Sequence, residues 1–209
     1  MKFTTFFSLF LLCGFTSYLP SATAIVLDSD GNFLDNGGTY FIRQFILQNG
    51  GGVHSAITGN ETCPLSVVQN PRSSANGLPV RISSPIKFPY IQESFILDIG
   101  FTFVAPCAPT PSTWTVVKGE GDRHPVKLTG YNNTIVGGFR IKRVSVDIGG
   151  YNLLFCPLDS PCGYVAVDLD SRRNRILVVT QEEKAAMWIQ FQRVNPLPPT
   201  ATATAHASA

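Results

Sequence analysis

Charge and reactive side chains are scarce in this chain of 209 residues: Asp, Glu, Lys and Arg make up 14%, and there are 3 histidines and 2 methionines. The formal net charge of +2 is too small to argue for nucleic acid or an anionic membrane surface as a partner. No His-Glu-x-x-His, Gly-x-Ser-x-Gly or phosphate-cradling glycine loop occurs, so the usual marks of metalloproteases, α/β-hydrolases and nucleotide enzymes are missing. A Ser–His–Asp triad assembled from distant positions would have to use His54 or His124, both of which sit in polar, turn-like segments and read as solvated surface. There is no Cys-x-x-Cys pair, and His54, His124 and His206 are not at ligand spacing. No metal or cofactor is therefore expected, and the chain does not read as an enzyme. Long apolar runs are also missing beyond residues 6–15, and that run falls short of the roughly 20 residues that cross a bilayer.

The short run has a different meaning. Lys2, the apolar stretch 6–15 and the small-residue segment Pro20-Ser21-Ala22-Thr23-Ala24 form the three regions of a secretory leader cleaved after Ala24. Residues 1–24 are thus expected to be removed, and the mature chain to be exported as a monomer to the extracellular space or apoplast, with the vacuole as the other destination. Cys13 leaves with the leader and an even set remains, Cys63, Cys107, Cys156 and Cys162, which in an oxidising compartment implies two disulfides. Three pairings are possible. The sequential one is favoured, because Cys156-Pro-Leu-Asp-Ser-Pro-Cys162 looks like a turn that a local bridge would close. Asn60-Glu61-Thr62 and Asn132-Asn133-Thr134 are glycosylation sequons and predict exposed turns at Asn60 and Asn132.

Residues 25–194 carry one continuous pattern of short strands separated by Asn-Gly, Gly-Gly and Asp-Ser turn signals, which argues for one all-β domain. Strands are expected over 40–47, 66–69, 79–82, 95–104, 114–118, 126–128, 139–147, 151–155, 165–169, 176–180 and 187–194. The helix-like stretch 181–186 is too short to stand alone and is taken as a turn. Two weak internal similarities, Pro79-Val80-Arg81-Ile82 with Pro125-Val126-Lys127-Leu128 and Phe139-Arg140-Ile141-Lys142-Arg143-Val144 with Trp188-Ile189-Gln190-Phe191-Gln192-Arg193-Val194, suggest about three or four copies of a small β unit closed on itself. From Asn195 a proline cluster and a Thr/Ala tract lack apolar periodicity, so 195–209 is expected to be a disordered tail.

One segment looks like bait. In Ser83-Ser84-Pro85-Ile86-Lys87-Phe88-Pro89-Tyr90-Ile91 a single lysine stands among bulky apolar residues, and two prolines disfavour helix before them, predicting a stiff, extended segment. Such a peptide suits a serine endopeptidase whose specificity pocket ends in a carboxylate. A pre-ordered loop also loses little entropy on docking. The basic run Arg172-Arg173-Asn174-Arg175 is the other place a bait or an anion site could lie, although a charged hairpin tip is the default.

The opening of the mature chain, Val26-Leu27-Asp28-Ser29-Asp30-Gly31-Asn32-Phe33-Leu34-Asp35-Asn36-Gly37-Gly38-Thr39-Tyr40-Phe41-Ile42, resembles the N-terminal signature of the plant Kunitz inhibitors of the soybean trypsin inhibitor family. The similarity continues through Ser83-Ser84-Pro85, Thr113-Trp114-Thr115-Val116-Val117, Phe139-Arg140-Ile141-Lys142-Arg143-Val144 and the four cysteines, and so covers about residues 25–194. The resemblance implies a β-trefoil of twelve strands in three units, a closed barrel with a hairpin cap, with the disulfides paired sequentially. It places Lys87 on the family's reactive residue, Lys87-Phe88 on its scissile bond, and Asn36 on the asparagine that braces the loop from within. The implied partner is a serine protease, trypsin-like or otherwise, including a serine carboxypeptidase. Miraculin-like relatives share the fold without all being inhibitors, so a storage, defence or taste-modifying role is the alternative. Pro89 departs from the soybean pattern, which has arginine there, and removes an N–H a protease carbonyl could use.

Overall fold

The computed structural model describes residues 24–46 and 48–194. The expectations of a leader over 1–24 and a tail over 195–209 fall almost wholly outside the described residues.

Among the described residues, thirteen strands form one curled sheet. They are β1 Gly38–Gln44, β2 Val53–Ala56, β3 Ser66–Gln69, β4 Val80–Ser83, β5 Asp98–Phe101, β6 Trp114–Val117, β7 His124–Leu128, β8 Thr134–Ile135, β9 Gly137–Arg143, β10 Tyr151–Pro157, β11 Gly163–Leu169, β12 Arg175–Thr180 and β13 Trp188–Arg193. Six of them close a ring. β1 pairs with β4 and β13, β4 with β5, β10 with β9 and β13, and the Leu97–Phe139 bridge joins the β5 and β9 sides. The other long strands make three hairpins, β2–β3, β6–β7 and β11–β12. β3, β7 and β12 pair with one another in a triangle that caps the ring. The first and last strands of each four-strand unit build the barrel, and the middle two build the cap. This is a β-trefoil, with the two-residue β8 as an addition to the expected twelve.

The core follows from period-2 alternation on the barrel strands. Tyr40 and Ile42, Val80 and Ile82, Ile99 and Phe101, Phe139 and Ile141, Leu153 and Phe155, and Ile189 and Phe191 all point inward and are buried. Phe101, Trp114, Phe139 and Phe155 pack edge to face or tilted at centroid separations of 5.5, 6.1 and 5.2 Å, arrangements that suit the ring quadrupole. Cys63–Cys107 and Cys156–Cys162 are the two disulfides.

Several expectations need correction. The strand expected over 95–104 contracts to Asp98–Phe101, because Ser94 turns with φ 67° and pairing with β4 begins only at Asp98. β2 was not expected at all, since Val53-His54-Ser55-Ala56 has no alternation of its own and becomes a strand by pairing with β3. The stretch 181–186 contains a single 3₁₀ turn, Glu183–Ala185. Of the two internal similarities, Phe139 and Trp188 lie on equivalent fourth strands, β9 and β13. The other pair is not equivalent, because Pro79 leads into a barrel strand whereas Pro125 lies in the cap strand β7.

Candidate functional site

The connection from β4 to β5 carries Lys87. The segment 25–36 lies beneath it as a platform, joined by bridges at Ile25–Gln92 and Asp35–Tyr90 and by backbone bonds from Val26 N–H to Ile91 O, 2.9 Å, and from Ile91 N–H to Leu34 O, 2.8 Å. Val26, Leu34 and Ile91 are fully buried, so both segments are anchored by apolar side chains although their upper surfaces face water. The platform is locked in turn by Arg193, which donates to Asp35 at 2.6 Å and to Phe33 O at 3.1 Å, and by the buried Tyr40 hydroxyl, which accepts Asp35 N–H at 2.8 Å.

Asn36 follows directly. Gly37, with φ 83°, makes a turn that an L side chain enters only with strain, and its N–H donates to Ile82 O at 2.7 Å. That turn presents the Asn36 side chain to the inner surface of the loop. Its Nδ2 donates toward Ser84 O at 3.2 Å, Ile86 O at 3.0 Å and Phe88 O at 3.0 Å, while Oδ1 accepts Ser84 N–H at 2.8 Å. An amide has two N–H groups for those three carbonyls, so at least one bond is shared. The backbone N–H of Asn36 adds a bond to Pro89 O at 2.8 Å. One residue therefore grips the loop at Ser84, Ile86, Phe88 and Pro89.

The loop is not uniformly extended, as the prolines alone had suggested. Phe88 N–H donates to Ile86 O at 2.8 Å, a three-residue turn with Lys87 at its apex. The cause is the convergence of alternate carbonyls on one amide. Pro85, Ile86, Lys87, Phe88 and Pro89 are exposed, and Ser84 and Tyr90 half-buried. Phe88, Tyr90 and Phe33 form an aromatic ridge beside the lysine, with centroids 6.2 and 5.0 Å apart. Sequence reasoning quoted Phe33 and Asp35 as family signature and saw no role for either. Their contacts with Tyr90 and Arg193 span some 57 and 158 positions.

The other candidates separate clearly. Arg172 and Arg173 lie on a closed turn in which Asp170 Oδ1 accepts the N–H groups of Arg172 and Asn174, at 2.9 and 2.7 Å, and Arg173 has φ 65°. That backbone is curled the wrong way for an extended protease substrate. His124 Nδ1 accepts Gly119 N–H at 3.2 Å. His54 is on β2 and half-buried rather than solvated, with its Nδ1 out of solvent and unpartnered. Neither histidine contacts a carboxylate among the described residues. Asn60 and Asn132 are exposed.

Sequence reasoning missed one polar cluster entirely. Glu61 accepts from Lys127 at 2.7 Å, from Ser66 at 2.8 Å and from Tyr131, and the Thr58 N–H closes the set at 2.8 Å. Burial pushes the Glu61 carboxyl up, but these donors together outweigh it and hold its pKa below the usual value. Burial and the adjacent Glu61 raise the Tyr131 phenol. The cluster ties β3 and β7 next to the Cys63–Cys107 bridge and is structural, since Ser66 is 1% exposed.

The family described as "Trypsin and protease inhibitor" matches residues 26–193. The Kunitz-type trypsin inhibitor KTI1 of Glycine max is 40% identical over 201 residues, covering 92% of this chain and 97% of that one. Trypsin inhibitor A of Glycine max is 40% identical over 204 residues, 93% of both chains. Among solved structures, soybean trypsin inhibitor in complex with porcine pancreatic trypsin superposes with a TM-score of 0.73 at 35% identity, covering 82% of this chain and 100% of the inhibitor. Winged bean albumin 1 superposes at 0.68 and 33% identity, covering 81% and 99%. Matched over residues 26–193, and built on the same trefoil, the chain belongs to the plant Kunitz family of trypsin and protease inhibitors, a family of inhibitors and not of enzymes.

Proposed function

We propose that the protein is an exported inhibitor of a serine endopeptidase, which presents residues 84–90 to a trypsin-like cleft with Lys87 in the specificity pocket and Lys87-Phe88 across the catalytic serine. The observation that carries this reading is the Asn36 brace. A loop whose carbonyls at Ser84, Ile86 and Phe88 are all gathered on one interior amide keeps its shape before and after docking, which favours binding over turnover. Lys87 itself is exposed and free to enter a pocket. Export is supported by the leader-like N-terminus, the two disulfides and the exposed sequons, and the inhibitor acts as a monomer.

The decisive comparison is residual trypsin activity with stoichiometric wild type and with Lys87→Ala. A central lysine anchor removed from such an interface costs on the order of 4 kcal/mol or more, so inhibition should fall by orders of magnitude with an unchanged melting temperature. Equal inhibition by the two proteins would overturn the assignment. The second reading, a non-inhibitory protein on the same scaffold, is favoured by the relative named as an albumin and by Pro89, which has no N–H to offer a protease. It predicts that neither protein inhibits trypsin and that the wild type is cut at Lys87-Phe88 as an ordinary substrate, whereas Lys87→Ala, lacking the lysine, is not cut there.

A further inference from the structure

The cap carries a second concave surface that shares no residue with the loop. Where the β11–β12 hairpin folds against β2 and β3, a cleft of about 300 Å³ is lined by His54, Gln69, Arg173, Asn174, Arg175 and a few apolar side chains, with no carboxylate among them. Arg175 donates through Nε and Nη2 to Gln69 Oε1, at 2.9 and 2.6 Å, and through Nη2 to Asn49 O at 2.9 Å. Gln69 is 1% exposed and is itself held by Gln44 at 3.1 Å. The Arg175 guanidinium is thus fixed in place by neutral oxygens, which orient it without cancelling its charge.

Arg173 brings a second cation to the same cleft. It occupies a left-handed backbone position, φ 65°, that asparagine or glycine would adopt more easily, and the Asp170 turn holds it there. Neither arginine takes part in an ion pair among the described residues. Of the hairpin's two carboxylates, Asp168 is paired with Arg123 at 2.6 Å, and Asp170, outside the cleft lining, accepts N–H groups of Arg172 and Asn174 in the turn that carries Arg173. His54 contributes an imidazole whose Nδ1 is buried with no hydrogen-bond partner, and unsatisfied buried nitrogens of this kind call for an explanation. Two guanidinium groups around one concavity, set against the single Asp170 carboxylate of the turn, focus positive potential on it, while burial holds the His54 pKa below the usual imidazole value and so favours the neutral ring.

We infer that this cleft binds a tetrahedral oxyanion, a sulfate or phosphate ester carried by a small molecule or short glycan, with Arg173 and Arg175 supplying charge and His54 completing the donor set. Arg175, its Nε and Nη2 held by Gln69 and Asn49, keeps Nη1 and its charge for such a ligand, the Arg173 guanidinium can offer a forked pair of donors, and the volume admits the ester group and part of its carrier.

Proton NMR on the mature protein tests this directly. The His54 ring resonance, assigned with His54→Gln, is followed while sodium sulfate, sodium phosphate, a sulfated disaccharide or a hexose phosphate is added, each against sodium chloride at matched ionic strength. The expected result is a saturable shift with the oxyanions that chloride does not reproduce, with affinity at least fivefold weaker in Arg173→Gln and trypsin inhibition unchanged. Tighter binding of the sulfated disaccharide than of the hexose phosphate assigns a sulfated source, and the reverse a phosphorylated one. Arg173→Gln alters only an exposed turn. Arg175→Lys, which keeps the charge but loses the guanidinium that Gln69 and Asn49 hold in place, gives a second measurement with its own melting curve as control. A shift equal to that with chloride, or full affinity in both Arg173→Gln and Arg175→Lys, would overturn the inference.

Discussion

Asn36→Ala separates a braced loop from one that is merely exposed. The side chain makes two bonds' worth of donation to the carbonyls of Ser84, Ile86 and Phe88 and accepts one from Ser84 N–H. At a net worth of about 0.5–1.5 kcal/mol per bond the sum is about 1.5–4.5 kcal/mol. Ile86 and Phe88 are exposed, so water recovers part of the loss and the effective cost falls to about 1–2 kcal/mol. That corresponds to a roughly 5- to 30-fold increase in the population of loop shapes open to hydrolysis. Cleavage at Lys87-Phe88 by catalytic trypsin, followed by mass spectrometry, should accelerate by that factor. The melting temperature should fall by no more than about 8 °C, the most that a loss of about 2 kcal/mol produces in a domain of this size, because no core contact is removed. Asn36→Asp sharpens the test. It keeps the acceptor for Ser84 N–H but turns a carboxylate oxygen toward three carbonyl oxygens, so it should be cut faster than the alanine variant. Cleavage of both variants at the wild-type rate would refute the brace.

Three further outcomes follow from the same structure. At Pro89 the missing N–H costs about 1–3 kcal/mol if a protease carbonyl goes unpaired, against about 0.4–1 kcal/mol gained by stiffening the chain; Pro89→Ala and Pro89→Arg should therefore tighten trypsin inhibition roughly fivefold, and tightest binding by the proline form would show the natural target to be shaped for that ring. The Cys63–Cys107 bridge closes a sequence separation of 44 and Cys156–Cys162 one of 6, so in the chain-entropy picture the first contributes about 1–2 kcal/mol more, and its double Cys→Ser variant should melt lower; a reversed order would refute the entropic ranking. Because the folded-state pKa of Glu61 is depressed, its contribution is fully present above the ordinary carboxylate value near pH 4.3 and is lost as pH falls through the folded value. Glu61→Gln, which leaves Lys127 uncompensated, should cost up to about 3 kcal/mol at pH 7, and its gap to wild type in urea unfolding should close toward pH 3; a gap independent of pH would count against the ion pair.

How much of this was legible in the chain depends on how far apart the interacting residues lie. Alternation at Tyr40 and Ile42 or Ile189 and Phe191 is a local signal, and those barrel strands are visible in the sequence. β2 is invisible because Val53-His54-Ser55-Ala56 owes its conformation to β3, and Glu61 looks like an ordinary sequon residue until Lys127, 66 positions on, reaches it. The lysine bait could be picked out from its own neighbours. Its turn could not, because the three carbonyls that curl it are gathered by a residue 48 to 52 positions earlier. Family resemblance pointed to Asn36, but neither composition nor periodicity marks that asparagine among its neighbours.

This distribution of contacts divides labour between stability and recognition. Val26, Leu34 and Ile91 are fully buried beneath the loop, so the platform's energy comes from apolar burial, at about 25 cal/mol per Å², that no exposed loop side chain shares. Residues 85–89 are all exposed, and the bonds that shape them run from their carbonyls to Asn36, not from their side chains. Backbone carbonyls are common to every residue type. The bait can therefore change identity without cost to the trefoil, as the proline at position 89 illustrates. Position 36 has no such freedom, since only a short amide both donates to three carbonyls and accepts Ser84 N–H at that distance. On this argument, grafting a different anchor at Lys87 should redirect the inhibitor to another protease, provided Asn36 is left alone.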